Sequence, residues 1–186
     1  MPRDYSSWAA RWRVPLGFAM AVALAVLSKP NLPVLVAGAI VALPGLVLRG
    51  IAAGYVEKGK KLAACGPYRY SRNPLYVGSF IIGLGFAIAA ASWILAVLFV
   101  IYFIAVYVPV IGREGEELRD RFGGEYERYV ASVPAFLPRL FHAVAEPEPQ
   151  AGDTFSWVRY RKNREYEAAL GYVAGLLFLA LKMKLR

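Results

Sequence analysis

The stretch around which this chain is organised reads Gly66-Pro67-Tyr68-Arg69-Tyr70-Ser71-Arg72-Asn73-Pro74-Leu75-Tyr76-Val77-Gly78. It stands between long apolar runs, and we call residues 66–78 the motif loop. Two prolines and two glycines argue against one continuous helix here, because proline lacks an N–H group and biases its predecessor toward extended backbone. Three tyrosines and two arginines supply aromatic faces and guanidinium groups suited to a ligand.

The composition indicates an integral membrane protein. Hydrophobic residues make up 58% of the 186 positions, against about 45–50% in typical soluble domains. They come in blocks, which predict membrane-spanning helices at 14–28, 32–48, 76–90 and 93–112. A fifth block, 168–181, is shorter than the roughly 20 residues that a bilayer core requires, so the sequence leaves its crossing open. We predict a single all-α membrane domain over residues 1–186, with four to five transmembrane helices.

The charge pattern predicts how the chain sits in the membrane. The formal net charge is +9, and beside membrane-length apolar runs it favours anionic lipid head groups as partners rather than nucleic acid. With four spans, most lysines and arginines fall on one side, including those of the N-terminus and the motif loop. The positive-inside rule places that side in the cytoplasm. We expect a bacterial inner membrane, with the first span retained rather than cleaved as a signal peptide.

Cysteine and histidine are too scarce for several kinds of site. Cys65 is the only cysteine and His142 the only histidine. One cysteine excludes an internal disulfide and a cysteine-cluster metal site, and we predict no metal site. Oligomeric state is left open by the sequence.

A second polar segment follows the fourth span. It begins Arg113-Glu114-Gly115-Glu116-Glu117-Leu118-Arg119-Asp120-Arg121-Phe122-Gly123. The turn predicted at 89–92 makes spans three and four a hairpin, so the motif loop and segment 113–138 should be neighbours on the cytosolic side. Ionisable groups at such a boundary are costly unless they are paired or functional. We therefore predict one helical site built from these two segments.

The two segments together resemble the isoprenylcysteine carboxyl methyltransferase family, which is related to membrane phospholipid methyltransferases. The resemblance covers roughly residues 49–138. Beyond the motif loop it rests on Glu114, Leu118, Phe122-Gly123, Glu125-Tyr126, Tyr129, Val133-Pro134 and Pro138. It implies a membrane enzyme that takes a methyl group from S-adenosylmethionine, leaves S-adenosylhomocysteine, and methylates a lipophilic or lipidated acceptor on the cytosolic side.

The resemblance also implies roles for individual residues. Arg113 and Glu114 are the expected catalytic residues, with Arg113 positioning an acceptor carboxylate. Arg72 suits the methionyl carboxylate of the cofactor, and Glu114 suits its ammonium or ribose hydroxyls. The expected cofactor-binding residues are Tyr68, Arg72, Asn73, Pro74, Tyr76, Gly78, Glu114, Glu117, Tyr126 and Tyr129.

This chain departs from the family pattern at two positions. Asn73 stands where better known members have histidine, and Gly115 stands where they usually have a second glutamate, with Glu116 or Glu117 as open replacements. Without an imidazole no obvious base is present, which favours a carboxylate or thiol-type acceptor over an ammonium, with Glu114 or Glu117 as the alternative base. Carboxyl O-methylation of the isoprenylcysteine type is therefore the first expectation. The alternatives are a phospholipid or lipid-amine N-methyltransferase and a non-catalytic membrane protein or transporter.

Ordinary roles at a membrane boundary compete with these assignments. Tyr68, Tyr70 and Tyr76 also suit an interfacial aromatic belt. Arg69 and the lysines of residues 58–61 are better explained by head-group contacts. Cys65 and His142 are expected to play no part in the site.

Overall fold

The computed structural model describes residues 3–57, 61–138 and 154–185, with side chains from residue 5 onward. Its helices are α1 (Arg3–Leu27), α2 (Leu32–Tyr55), α3 (Pro74–Ala89), α4 (Trp93–Phe122), α5 (Gly124–Ser132), α6 (Trp157–Lys162) and α7 (Tyr166–Lys184), with a 3-10 turn at Gly66–Arg69. All regular structure in these ranges is helical, which confirms the predicted all-α class. Lys58, Lys60 and His142 lie outside the described residues.

Four of these helices are long and apolar enough to cross a membrane: Tyr5–Leu27, Leu32–Tyr55, Trp93–Phe122 and Tyr166–Lys184. Pro74–Ala89 is a shorter apolar helix. Side-chain caps help to define two helix starts. Asn31 Oδ1 accepts from the Val34 N–H at 3.2 Å, and Ser92 Oγ accepts from the Leu95 N–H at 3.5 Å, which satisfies N–H groups that have no partner in the first turn. The apolar helices confirm the predicted membrane protein.

Helices α2 and α3 pack with their backbones in contact. A Cβ atom added to Gly45 would lie 2.6 Å from the Gly78 carbonyl oxygen, and one added to Gly85 would lie 2.6 Å from the Gly38 oxygen. Small residues at such a crossing let van der Waals contacts form between helix backbones, which is how helices associate in lipid. This packing holds the start of α3, and with it the motif loop, against the end of α2.

The helices meet at two distinct ends. The motif end contains the end of α2, the starts of α3 and α7, and the charged part of α4. The opposite end contains the α1–α2 and α3–α4 turns and the end of α7. There the Lys29 N–H donates to the Ala90 carbonyl at 2.8 Å, so the two turns lie side by side.

Helix α7 runs the whole distance between the two ends, antiparallel to α2. Glu165, directly before α7, contacts Arg49 at the motif end. Further along, the Tyr172 hydroxyl donates to the Ala39 carbonyl at 3.0 Å, and Lys182 Nζ donates to the Ala25 carbonyl at 2.6 Å. The run 168–181 is thus part of a helix that reaches both ends of the bundle.

Candidate functional site

The motif loop is folded tightly against the end of α2. Gly66 has φ +58, and a Cβ atom there would lie 2.7 Å from the Tyr55 ring, so both backbone conformation and space require glycine. Ser71 Oγ accepts from the Asn73 N–H at 3.2 Å. Pro74 then begins α3, where its missing N–H costs nothing.

Helix α5 packs over this loop through buried tyrosines. Tyr126 and Tyr129 form an apolar cluster with Leu62 and Val133, and the Tyr129 hydroxyl donates to the Tyr68 carbonyl at 2.7 Å. Burial raises the pKa of the Tyr68 and Tyr129 phenols well above its ordinary value. Both phenols therefore remain neutral at physiological pH.

Arg72 has hydrogen-bonding capacity that the described residues leave unused. Its Nη1 donates to the Tyr126 hydroxyl at 3.3 Å, and its backbone N–H donates to the Pro134 carbonyl at 2.9 Å. Its Nε is buried and has no hydrogen-bond partner among the described residues. An unsatisfied buried donor costs about 1–3 kcal/mol, and more when charged, so Arg72 is suited to bind an anionic group.

Gly115 explains how Tyr126 reaches this arginine. A Cβ atom on Gly115 would lie 3.0 Å from the Tyr126 hydroxyl, so a larger side chain would press on the partner of Arg72. The residue in the family's second glutamate position is therefore small for a packing reason. Glu116 and Glu117, the open replacements, are both exposed.

Glu114, the neighbour of Gly115, pairs with the motif loop. The Tyr76 hydroxyl donates to Glu114 Oε1 at 2.6 Å, and Arg13 Nη1 donates to the same hydroxyl at 3.5 Å. The Tyr76 ring meets the Tyr107 ring edge-on, with centroids 5.4 Å apart. Two adjacent positions of α4, 114 and 115, thus face Tyr76 and the Arg72–Tyr126 pair.

An aromatic wall extends from this pair into the apolar part of the bundle. Phe103 stacks on Tyr107 with centroids 4.6 Å apart, and Phe136 contacts both Phe80 and Phe103 at 5.9 and 5.6 Å. Asn73 Nδ2 donates to the Ala135 carbonyl at 2.8 Å, which holds the segment bearing Phe136. Asn73 therefore links the motif loop to the aromatic wall.

Three of the predicted site residues, Arg113, Glu117 and Gly78, do not face the Arg72–Tyr126 and Tyr76–Glu114 pairs. Arg113 Nε donates to Glu117 Oε1 at 2.9 Å, and the two side chains are 43% and 61% exposed, so they pair with each other on the solvent side of α4. Gly78 faces α2 through its contacts with Gly45 and Arg49. The described residues contain no group of three His, Cys, Asp or Glu side chains that could hold a metal ion.

Sequence reasoning missed a buried ion pair behind the motif loop. Arg49 Nε and Nη2 donate to the two Glu165 oxygens at 2.5 and 3.0 Å, and Arg49 Nη1 donates to Ser79 Oγ at 2.5 Å. The Glu165 side chain is 6% exposed. In the sequence, Arg49 looks like one of the basic residues that flank a membrane span on the cytoplasmic side. The one sequence feature that could have indicated the pair is Glu165, an acidic residue just before an apolar run.

Arg13 was also missed, because its sequence context is typical of an interfacial flank with Trp8 and Trp12. The structure instead brings its guanidinium to Tyr76. Arg13 and Glu165 both lie far in sequence from the two motifs, so their contribution depends on how α1 and α7 pack.

Comparison with known proteins shows which families the chain is similar to. Residues 48–125, which include the motif loop and Glu114, match the phospholipid methyltransferase family. A nickel-cobalt-cadmium resistance protein, NccN, from Alcaligenes xylosoxydans xylosoxydans is 35% identical over 84 residues, which cover 45% of this chain and 39% of that protein. A protein-S-isoprenylcysteine O-methyltransferase from Schizosaccharomyces pombe is 32% identical over 90 residues, which cover 48% and 38% of the two chains.

The matched region of this chain spans less than two fifths of the length of either curated relative. No solved structure gives a significant match. The family match contains both halves of the geometric site, the motif loop and the Glu114 turn of α4. It confirms the predicted resemblance of this membrane protein to the isoprenylcysteine and phospholipid methyltransferases.

Proposed function

We propose that this protein is an S-adenosylmethionine-dependent membrane methyltransferase that methylates the carboxylate of a lipophilic acceptor of the isoprenylcysteine type. The observation that carries the proposal is the Arg72 guanidinium, whose buried Nε has no hydrogen-bond partner among the described residues. It lies beside Tyr126, which faces the same turn of α4 as the Tyr76–Glu114 pair. The family match supports the same activity.

The residues present fit the cofactor's chemistry. Arg72 would hold the carboxylate of its amino-acid part, because a guanidinium offers paired donors to a carboxylate. Glu114 would accept hydrogen bonds from its ammonium or ribose hydroxyls, and Tyr126 and Tyr68 would offer aromatic faces. When bound, the cofactor supplies a methyl group on a sulfonium; an O–CH3 bond to the acceptor forms as the S–CH3 bond breaks, leaving a neutral ester and S-adenosylhomocysteine.

The site's own residues support an acceptor that is already ionised. A carboxylate needs no base, and the described cluster contains none that is unengaged: Glu114 already accepts a hydrogen bond from Tyr76 at 2.6 Å. The aromatic wall, formed by Phe80, Phe103, Tyr107 and Phe136, supplies an apolar surface for a lipophilic chain. Positioning of the two reactants is the main task of such a site.

A lipid-amine N-methyltransferase is the second candidate. The matching family is that of phospholipid methyltransferases, and Glu114 is the carboxylate that would take the proton an ammonium must lose before attack. The two candidates differ in product, because a methyl ester releases its label as methanol in alkali and an N-methyl group does not.

For the membrane arrangement we propose five spans, α1 to α4 and α7, in one domain of a bacterial inner membrane. The motif end and the N-terminus would face the cytoplasm, supported by the basic residues at that end. The expected partners are membrane lipids and the acceptor, with no nucleic acid.

Equilibrium binding of tritiated S-adenosylmethionine to the detergent-solubilised protein tests the proposal. We expect Arg72→Gln and Glu114→Gln each to weaken binding by about tenfold or more, since hydrogen bonds to charged groups are worth about 1.5–3 kcal/mol. Arg121→Gln and Glu116→Gln are matched controls, because both residues are exposed on α4, and should change binding less than about twofold.

No binding by the unaltered protein would sink the methyltransferase proposal and favour a non-catalytic membrane protein. Equal effects of all four substitutions would show that the cofactor does not bind at Arg72 and Glu114. Transfer of labelled methyl groups to a lipid extract, followed by alkali treatment, then separates ester formation from N-methylation.

A further inference from the structure

We propose that Arg13, on α1, binds the acidic group of the acceptor and so determines the substrate preference of the enzyme. The inference rests on the proposed methyltransferase function. Arg13 lies outside the family match at 48–125, so the motifs themselves say nothing about it. Its contacts in the structure carry the assignment.

Arg13 is anchored on α4 and reaches the Tyr76–Glu114 pair. The Tyr102 hydroxyl of α4 donates to the Arg13 carbonyl at 3.1 Å. The Arg13 side chain extends from there to the Tyr76 hydroxyl, which itself donates to Glu114 at 2.6 Å. The Arg13 guanidinium therefore lies at the depth of Glu114, at the motif end.

The guanidinium has capacity for a further partner. Tyr76 takes one of its five N–H donors, at 3.5 Å. No carboxylate whose side chain is described lies within ion-pair distance of Arg13. A guanidinium at such a membrane boundary is costly unless it pairs or binds something.

Helix packing brings Arg13 close to a group of aromatic rings. Helices α1 and α3 both pack against α4 and make little contact with each other, and Arg13 of α1 meets Tyr76 of α3. The Tyr76 ring contacts the Tyr107 ring, which stacks on Phe103 of the aromatic wall. An acceptor with its acidic group at Arg13 would place its apolar chain along these rings.

Charge separates the acceptor classes at this position. Arg49 is neutralised by Glu165, whereas Arg13 and Arg72 have no described carboxylate partner. An anionic acceptor is attracted to Arg13, and a lipid ammonium is repelled by it. Arg113, the residue expected for this role, is paired with Glu117 on the solvent side, so Arg13 takes the role that the sequence assigned to Arg113.

Binding measurements that do not depend on turnover test this assignment. The probe is tritiated N-acetyl-S-farnesylcysteine, with its carboxamide as the uncharged counterpart, added to the 186-residue chain saturated with S-adenosylhomocysteine. We expect Arg13→Gln to weaken binding of the acid by about tenfold or more, as for a lost charge-assisted bond, and binding of the carboxamide by less than about twofold. Arg13→Lys should retain part of the preference for the acid.

Arg11→Gln is the control, because Arg11 is exposed on the same helix, and it should leave all binding unchanged. Binding of S-adenosylhomocysteine itself should be the same in Arg13→Gln and the unaltered protein, which also shows that the variant is folded. If the unaltered protein does not prefer the acid, or if Arg13→Gln weakens acid and carboxamide equally, the inference is overturned. If the unaltered protein does not bind S-adenosylhomocysteine, the result overturns the proposed function instead.

Discussion

The two ends of the helix bundle use charged side chains in different ways. At the motif end, charged and phenolic groups bond to one another, as in Arg49–Glu165, Tyr76–Glu114 and Arg72–Tyr126. At the opposite end, Lys182 Nζ donates to the Ala25 and Val26 carbonyls and to Ser28 Oγ. The opposite end therefore uses its charge to cap α1, whereas the motif end keeps guanidinium capacity for a ligand.

A cleft at the opposite end shows the same difference in unused hydrogen-bonding capacity. It has a volume of about 580 Å³ and lies between the ends of α1 and α7, lined mainly by apolar residues with Lys29 and Lys182. All three donors of an ammonium are already engaged in Lys182. The described residues at this end include no Asp or Glu. The presence of a cavity alone does not make a site, because the polar groups around it must also have unused bonding capacity.

The largest expected effect comes from breaking the buried pair at the motif end. Arg49→Met leaves the Glu165 carboxylate buried without its partner, which typically costs about 3–5 kcal/mol. Thermal unfolding in detergent should show a large fall in stability. Arg119→Met removes one partner of an exposed pair, with side chains 51% and 53% accessible, and should lower the unfolding temperature far less, because exposed pairs contribute little to stability.

Equal losses in the two variants would show that Arg49–Glu165 is no stronger than a surface pair. Adding Glu165→Gln to Arg49→Met should recover part of the loss, because the uncompensated charge is then removed.

A smaller effect is expected at the opposite end. Lys182→Met removes the hydrogen bonds to the last carbonyls of α1 and should lower stability by about 1–2 kcal/mol. Binding of S-adenosylmethionine should be unchanged, because the motif end is not altered. Lys184→Met is the control, since Lys184 is exposed on the same helix. Weaker cofactor binding in Lys182→Met would contradict the separation of the two ends.

The smallest effect on stability is expected from two cysteine substitutions that report which end of the bundle faces the cytoplasm. Cys65 is the only cysteine, so Cys65→Ala gives a cysteine-less background. Arg121→Cys at the motif end and Lys184→Cys at the opposite end both replace exposed residues. In intact bacterial cells that express the protein, a membrane-impermeant maleimide should label Lys184→Cys and leave Arg121→Cys unlabelled. The reverse pattern would show that the motif end faces outward.

The sequence alone determined the helical class and half of the candidate site. Apolar blocks define membrane helices because backbone groups in lipid must be satisfied within each helix. A short turn between α3 and α4 makes them neighbours, so the proximity of Tyr76 to Glu114 followed from chain order. The contact of Arg72 with the Tyr126 hydroxyl did not follow, since it depends on how α5 packs beside Gly115.

Only the tertiary structure decided which distant residues join that site. Arg13 and Tyr76 are 63 positions apart, and Arg49 and Glu165 are 116 apart, so neither contact leaves a local pattern in the sequence. Arg113 and Glu117 had the right residue types, but the rotation of α4 turns them to solvent and Glu114 inward. Residue type and spacing predict which side chains are able to bind a ligand, whereas helix packing sets where they point.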